Sequence, residues 1–235
     1  MDTGNVQAPT GRGDTGRSFG FPWYEQNRRW MLDWAAGSLS ALEFGCGVGW
    51  MTATLAGAGI DTLGIDISGP KVEQARNRYP GVRFEVLEMG PDTFVPGSFD
   101  FVVSNQVLEH VPDVDAVLAM LHAVIRPGGR AFFSVPNGYG LYCLLYDKLA
   151  GALGRQSEHE QFHSLGQWQD KFAQHGFRTV DVLSQNILPY RLFPPRLQGS
   201  AGLYIHGLNL GLCAITPKSW ASAFYFRLER LDAAD

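Results

Sequence analysis

The chain predicts an α/β fold: a doubly wound, mostly parallel sheet with helices on both faces and an antiparallel closing strand. Three observations predict it. Short apolar runs of strand length alternate with helix-period segments between residues 41 and 136. Runs such as ALEF (41–44) and RAFFSVP (130–136) read as buried strands. A glycine-rich turn joins the first of these strands to the helix that follows it.

Composition narrows the class. The 235 residues are 45% hydrophobic and 18% charged, which suits one soluble globular domain. A net charge of −4 argues against a broad nucleic-acid surface. Three scattered cysteines make no disulfide framework and point to a reducing compartment. The first 18 residues have no apolar core, so they read as a disordered tail rather than a secretory signal. The stretch 201–216 is short for a membrane span and contains His206 and Asn209. The expectation is a cytoplasmic protein with a single domain over 19–235.

The elements follow in order. FPWYEQNRRWMLDWAAG reads as a leading helix within 19–37, with Pro22 at its start, Trp23, Trp30, Met31 and Trp34 on one face, and Gly37 as its stop. Strand 41–44 leads to a helix from Trp50 to Ala56. Strand 61–67 leads to a helix opened by Gly69-Pro70 and ending near Arg78. Strands 82–88 and 98–105 come next, then a helix over Val111–Ile125, a turn at RPGG (126–129) and strand 130–136. Cap-like insertions are expected at about 138–163, with a helix over 141–153, and at 186–206. The second insertion contains Pro189, Pro194 and Pro195 beside Tyr190, Phe193 and Tyr204. It reads either as a flap over a pocket or as packed surface loop. A helix is expected over 164–175. Strands over 176–184 and 207–216 are expected as an antiparallel closing pair, and the tail from Pro217 as an amphipathic helix.

LEFGCGVGW (42–50) is the most informative stretch. Gly45, Gly47 and Gly49 let the backbone turn tightly and let a ligand approach closely. The spacing is G-x-G-x-G, not the G-x-G-x-x-G of dinucleotide dehydrogenases. Glu43, in the strand before the turn, would be awkward beside a pyrophosphate and suits a cationic amino-acid ligand. Asp66 ends the second strand, where a carboxylate can accept both ribose hydroxyls. Glu88 and Met89 end the third, where adenine could find an acceptor for its amino group and an apolar neighbour. These sites offer no Lys or Arg for phosphates. The ligand they describe is S-adenosylmethionine.

With these residues in place, the chain resembles the class I S-adenosylmethionine-dependent methyltransferases, which have a Rossmann-like sheet. LEFGCGVG resembles their first motif, GIDIS the acidic ribose motif, GSFDFVVSNQVLEHV the fourth-strand motif, and IRPGGRAFFSVPN the fifth-strand turn and strand. The four agree in order and spacing over residues 39–137. S-V-P-N and L-E-H resemble the small-molecule branch, which includes ubiquinone-pathway and natural-product enzymes. The resemblance implies that Gly45, Cys46, Gly47 and Gly49 shape the methionine and ribose site. Glu43 would anchor either the loop or the ligand ammonium. Asp66 would hold the ribose, Ile67 would pack on adenine, and Glu88 and Met89 would face the adenine edge. Asn105 and Gln106 would place backbone carbonyls near the methionine ammonium. Glu88 departs from the more usual Asp.

An oxygen acceptor would benefit from a base titrating near neutrality. His110, in LEHV, and His159 and His163, before the late helix, are the candidates; His110 could equally be structural. Trp23, Tyr24 and Arg28 could close over the site or merely pack the leading helix. The expected partner is an apolar or amphipathic small molecule, methylated most readily at oxygen. A module that binds the cofactor without catalysis and an NAD-dependent oxidoreductase are the alternatives. A protein or nucleic-acid methyltransferase is disfavoured because SNQV stands where N-P-P-Y or D-P-P-Y would.

HEQFH (159–163) matches the H-E-x-x-H zinc pattern, which needs both histidines on one helical face. Ser164 with Gln167 reads instead as a capping box that starts a helix after His163. No metal site is therefore expected.

Overall fold

The computed structural model describes residues 22–140, 163–185, 208 and 211–232. Seven strands form one sheet: β1 (Ser40–Phe44), β2 (Asp61–Asp66), β3 (Arg83–Val86), β4 (Phe99–Asn105), β5 (Ile125–Pro136), β6 (Phe177–Gln185) and β7 (Ala223–Arg230). The helices are α1 (Pro22–Ala35), α2 (Trp50–Gly57), α3 (Gly69–Arg78), α4 (Val114–Val124) and α5 (Leu165–Gln174). The strand order is β3-β2-β1-β4-β5-β7-β6. β1 to β5 run parallel, and β7 lies antiparallel between β5 and β6. β1 therefore pairs with both β2 and β4. At that reversal of winding, the carboxyl ends of neighbouring strands feed connections to opposite sides and leave a crevice.

Successive side chains alternate between two cores, as a strand requires. Phe101, Val103 and Phe132 pack with Met31 and Ala35 of α1 and with Met51 and Leu55 of α2. Val102 and Phe133 face the other way, onto Leu118 and Leu121 of α4 and Trp168 and Phe172 of α5. Helices thus cover both faces, as the alternating pattern predicts. α5 begins with the predicted capping box: Ser164 Oγ accepts from Gln167 N–H, and Gln167 Oε1 accepts from Ser164 N–H.

Several boundaries differ from the sequence reading. The tail is not a helix; after a 3₁₀ turn at Lys218–Trp220 it forms β7. Phe224, Phe226 and Leu228 point inward at every second position, a period of two that outweighs the helical reading. Residues 211–215 are helical rather than extended, as is 208, so β7 and not this stretch closes the sheet beside β6. The RPGG turn lies inside β5, where pairing jumps from Phe99↔Ile125 to Phe101↔Arg130 and Gly128 takes φ 69°. α4 starts at Val114 rather than Val111. Val111 precedes Pro112 and is extended, and Asp113 caps the helix through Ala116 N–H.

The 1–18 tail, the first insertion over 141–162 with the helix expected over 141–153, and the whole of the second insertion at 186–206 lie outside the described residues. Among the described residues, no helix is long and apolar enough to cross a membrane.

Candidate functional site

A pocket of about 640 Å³ opens at the carboxyl ends of β1, β2 and β4, at the point where the winding reverses. Its wall includes Glu43 of β1 with Gly45, Cys46 and Gly47 of the connection after it, and Asp66 at the end of β2 with Ile67 beyond it. Glu88 and Met89 come from the segment after β3, Asn105 from the end of β4, and Gln106 and His110 from the segment after it. The sheet thus brings together residues spread over more than sixty positions of sequence.

The glycine-rich turn is held from below. Gly45 N–H and Cys46 N–H both donate to Ile65 O at 2.8 Å. Gly45 has φ 77°, and a Cβ there would lie 2.4 Å from Val107 Cγ2, so only glycine fits. Gly49 has a different job. It is not part of the pocket wall; it caps α2 with φ 83°, and a Cβ would meet Phe84 at 2.5 Å and Ala75 at 2.8 Å. Its missing side chain lets α2, α3 and β3 pack closely. Around Gly47 there is open space, the room a ligand would need. Cys46 is buried, and desolvation, with Glu43 and Asp66 nearby, raises its thiol pKa. It is therefore a poor nucleophile.

Glu43 is only 3% exposed, and one of its carboxylate oxygens accepts from both the N–H and the hydroxyl of Thr52 at the start of α2. Of the two roles left open for it, loop anchor is the one these bonds display. Burial, reinforced by the neighbouring Asp66 charge and opposed by the Thr52 bonds, pushes its carboxyl up to about 8. Asp66 ends β2 with one oxygen on Gly47 N–H and the other on Ser68 N–H, both at 2.8 Å. It therefore ties the second connection to the first. Ile67, beside it, is 76% exposed, an apolar side chain left uncovered on a pocket wall. Met89 is buried in the large core and also reaches the pocket, while Glu88 lies just past the end of β3.

At the other wall, Gln106 is the one described residue besides glycine with a positive φ, 56°. Its N–H donates to Ser134 O at 3.0 Å, and its side chain and that of Asn105 both meet the Ser134 hydroxyl. His110 closes a short 3₁₀ turn (Leu108–His110) with its side chain half exposed on the pocket. Buried Glu109 lies beside it, 3.7 Å from carboxylate oxygen to His110 Nε2.

The structure does not gather all the histidine candidates. His163 stands away from the pocket wall, packed edge-on against Trp168 with ring centroids 4.8 Å apart. Desolvation, then the Lys171 charge, lowers its pKa, opposed by Asp115. His159 lies outside the described residues, as do the side chains of Trp23 and Tyr24. Arg28 makes a two-pronged pair with Glu25 on its own helix. Among the described residues, no group of three or more His, Cys, Asp or Glu side chains could hold a metal ion.

One charged wall residue escaped the sequence reading, which found no cation at these sites. Lys71 lines the pocket. It sits in the first turn of α3, and helical side chains lean toward the helix N-terminus, here the pocket end. The signal was its position five residues after Asp66.

Comparison with known proteins agrees with this geometry. A family profile described as a methyltransferase domain matches residues 21–182. A ubiquinone biosynthesis O-methyltransferase from Methylococcus capsulatus is 38% identical over 102 residues, covering 41% of this chain and 43% of that protein. One from Bordetella avium is 36% identical over 117 residues, covering 45% and 48%. The match thus spans less than half the length of these curated relatives. The crystal structure of an S-adenosylmethionine-dependent methyltransferase from Mesorhizobium loti superposes with a TM-score of 0.60 at 18% identity, covering 88% of this chain and 97% of that one. That of a 1,6-didemethyltoxoflavin N1-methyltransferase from Burkholderia thailandensis, with its substrate and S-adenosylhomocysteine bound, gives 0.57 at 17% identity, covering 88% and 77%. Because the profile match covers well over half of its length, the chain belongs to the methyltransferase domain family.

Proposed function

We propose that the protein is an S-adenosylmethionine-dependent methyltransferase that acts on a small-molecule acceptor, at an oxygen atom. The observation that carries the reading is the convergence of Glu43, Asp66, Glu88 and Gln106 on one pocket at the reversal of the sheet. The residues present fit that cofactor. Asp66 offers a carboxylate for ribose hydroxyls, Ile67 an uncovered apolar surface for adenine, and Gly47 the clearance for close approach. S-adenosylmethionine, when bound, supplies a methyl group already activated by its sulfonium.

The chain's own task is then mostly alignment, which can contribute roughly 7–11 kcal/mol to lowering a barrier. The strained corner at Gln106 and the glycine-rich turn hold the two ends of the pocket fixed. His110, on the same wall, is the residue we assign to accept the proton from an acceptor hydroxyl. Val107, Val111 and Val117 make the neighbouring wall apolar, which favours an apolar or amphipathic acceptor and keeps water from competing. The curated relatives named for ubiquinone biosynthesis O-methylation support oxygen as the target.

The test is direct. Calorimetry should show binding of S-adenosylmethionine and S-adenosylhomocysteine but not NAD. A radiolabelled methyl group should pass to hydroxyl-bearing members of a panel of phenols, alcohols and amines. His110→Gln should lower turnover about 10²-fold or more while leaving cofactor affinity within a small factor. Failure to bind the cofactor would overturn the reading. Tight binding without transfer to any acceptor would make the protein a binding module, and transfer to amines alone would overturn the oxygen assignment.

A further inference from the structure

Ser134 belongs to none of the four pocket-wall segments, yet it touches two of the wall's residues. It lies on β5, fully buried, directly across from Asn105 in the β4–β5 pairing. Its hydroxyl donates to Asn105 Oδ1 and accepts from Gln106 Nε2 at 3.4 Å. Its carbonyl accepts from Gln106 N–H at 3.0 Å. Gln106 is held in the left-handed region, a conformation that costs a non-glycine residue on the order of 1–3 kcal/mol and persists only where surrounding bonds impose it.

A serine hydroxyl has one proton to give. Here that proton goes to Asn105 Oδ1, so the oxygen lone pair meets Gln106 Nε2. The bridge couples the two amides in opposite senses, one presenting its oxygen to the hydroxyl and the other its nitrogen. It leaves one donor and one acceptor, here Asn105 Nδ2 and Gln106 Oε1, outside the bridge on two consecutive residues that line the pocket. An adjacent donor and acceptor complement one chemical class well: a zwitterionic α-amino acid. Its carboxylate meets the donor and its ammonium meets the acceptor.

We infer that Ser134 is a positioning residue: by bridging the Asn105 and Gln106 amides in opposite senses it keeps one donor and one acceptor paired for the aminocarboxylate end of the cofactor. The inference rests on the cofactor reading above and extends it to a residue outside the pocket wall.

The test compares three ligands by calorimetry: S-adenosylmethionine, S-adenosylhomocysteine, and 5′-methylthioadenosine, which lacks the aminocarboxylate. Ser134→Ala removes the bridge. Ser134→Cys keeps nearly the same volume without a strong hydroxyl, and carries the test if the alanine variant folds poorly. Both should weaken the first two ligands about fivefold to tenfold, the equivalent of one or two net hydrogen bonds, and leave methylthioadenosine nearly unchanged. Equal weakening of all three ligands would reduce Ser134 to a packing residue and overturn the inference, as would unchanged binding of all three. The wild-type protein separates the two levels of the argument. If it binds none of the three, the cofactor reading fails and the inference with it. If it binds methylthioadenosine as tightly as S-adenosylhomocysteine, the aminocarboxylate assignment fails while the adenosine site stands.

Discussion

Glu43 and Thr52 meet across the glycine-rich turn: one carboxylate oxygen of Glu43 accepts the Thr52 N–H at 2.6 Å and the Thr52 hydroxyl as well. The pair joins the end of β1 to the first turn of α2 and seals one wall of the pocket. Among the described residues no cation pairs with Glu43, and Asp66 adds a second carboxylate nearby. A carboxyl buried without a countercharge holds its proton more tightly than usual.

The first prediction concerns stability. The folded-state pKa is raised from 4.5 to about 8, so between those values the native state keeps a proton that the unfolded chain has released. Stability from this group is therefore full below pH 4.5 and is lost as pH rises through about 8. The slope can reach about 1.4 kcal/mol per pH unit. Glu43→Gln, which is neutral at every pH, should flatten it. Urea denaturation between pH 4.5 and 9 checks this; parallel pH profiles for the two proteins would refute it.

The second prediction concerns binding. A ligand that brings positive charge into the pocket that Glu43 lines favours the ionised carboxylate, so it should displace the proton. Affinity for S-adenosylmethionine should then rise as pH approaches 8. Below that pH, calorimetry in buffers of different ionisation enthalpy should show up to about one proton released per ligand. Glu43→Gln should show none. Equal proton release by the two proteins would assign the proton elsewhere.

The third prediction separates two glycines that look alike in sequence. At Gly45 a methyl group would run into Val107, whereas at Gly47 nothing stands within 4 Å. Both have positive φ, which costs an alanine about 1–2 kcal/mol. Gly47→Ala should lose about that much stability, while Gly45→Ala should lose more. Adding Val107→Ala to Gly45→Ala removes both clashing methyls and should recover part of the loss. Thermal melts of the two single variants and the double variant decide it, and no recovery in the double would contradict the clash.

These positions show what the sequence makes legible. The alternation of strands and helices from Ala41 to Pro136 is local, set by periodicity and by glycine and proline punctuation, and it reads correctly to within a few residues. Motif positions such as Gly45, Asp66 and Asn105 read as pocket residues because the parallel sheet places strand ends together. What fails is non-local. Phe224, Phe226 and Leu228 sit in a segment whose helical and extended patterns are both plausible, and pairing with β5 and β6 decides between them. Thr52 is an unremarkable helix residue until Glu43 is folded against it. Lys71 reaches the pocket through the direction its helix gives its side chain, and Ser134 acts through residues on a different strand. Composition also leaves no trace of His163 being turned onto Trp168 rather than onto the pocket.

The last prediction concerns how α1 is fixed, because the leading helix could be either a mobile cover or part of the core. Met31 and Ala35 are fully buried, and Trp34 Nε1 donates to Ala131 O, so the C-terminal half of α1 is part of the core. Further toward the N-terminus, the buried Asn27 and Gln185 exchange side-chain amide bonds across 158 residues, tying α1 to the end of β6. Asn27 also bonds Tyr225, whose phenol is pushed up to about 12 by desolvation. Removing one partner takes both reciprocal amide bonds from the other in a buried site, which costs about 1–3 kcal/mol. Replacing both amides with leucine removes the unsatisfied groups together. Asn27→Leu and Gln185→Leu should therefore each destabilise by that amount, and the double variant by less than the sum of the two. Additive losses in a double-mutant cycle would show that the two amides do not depend on each other and would refute this tie between α1 and β6.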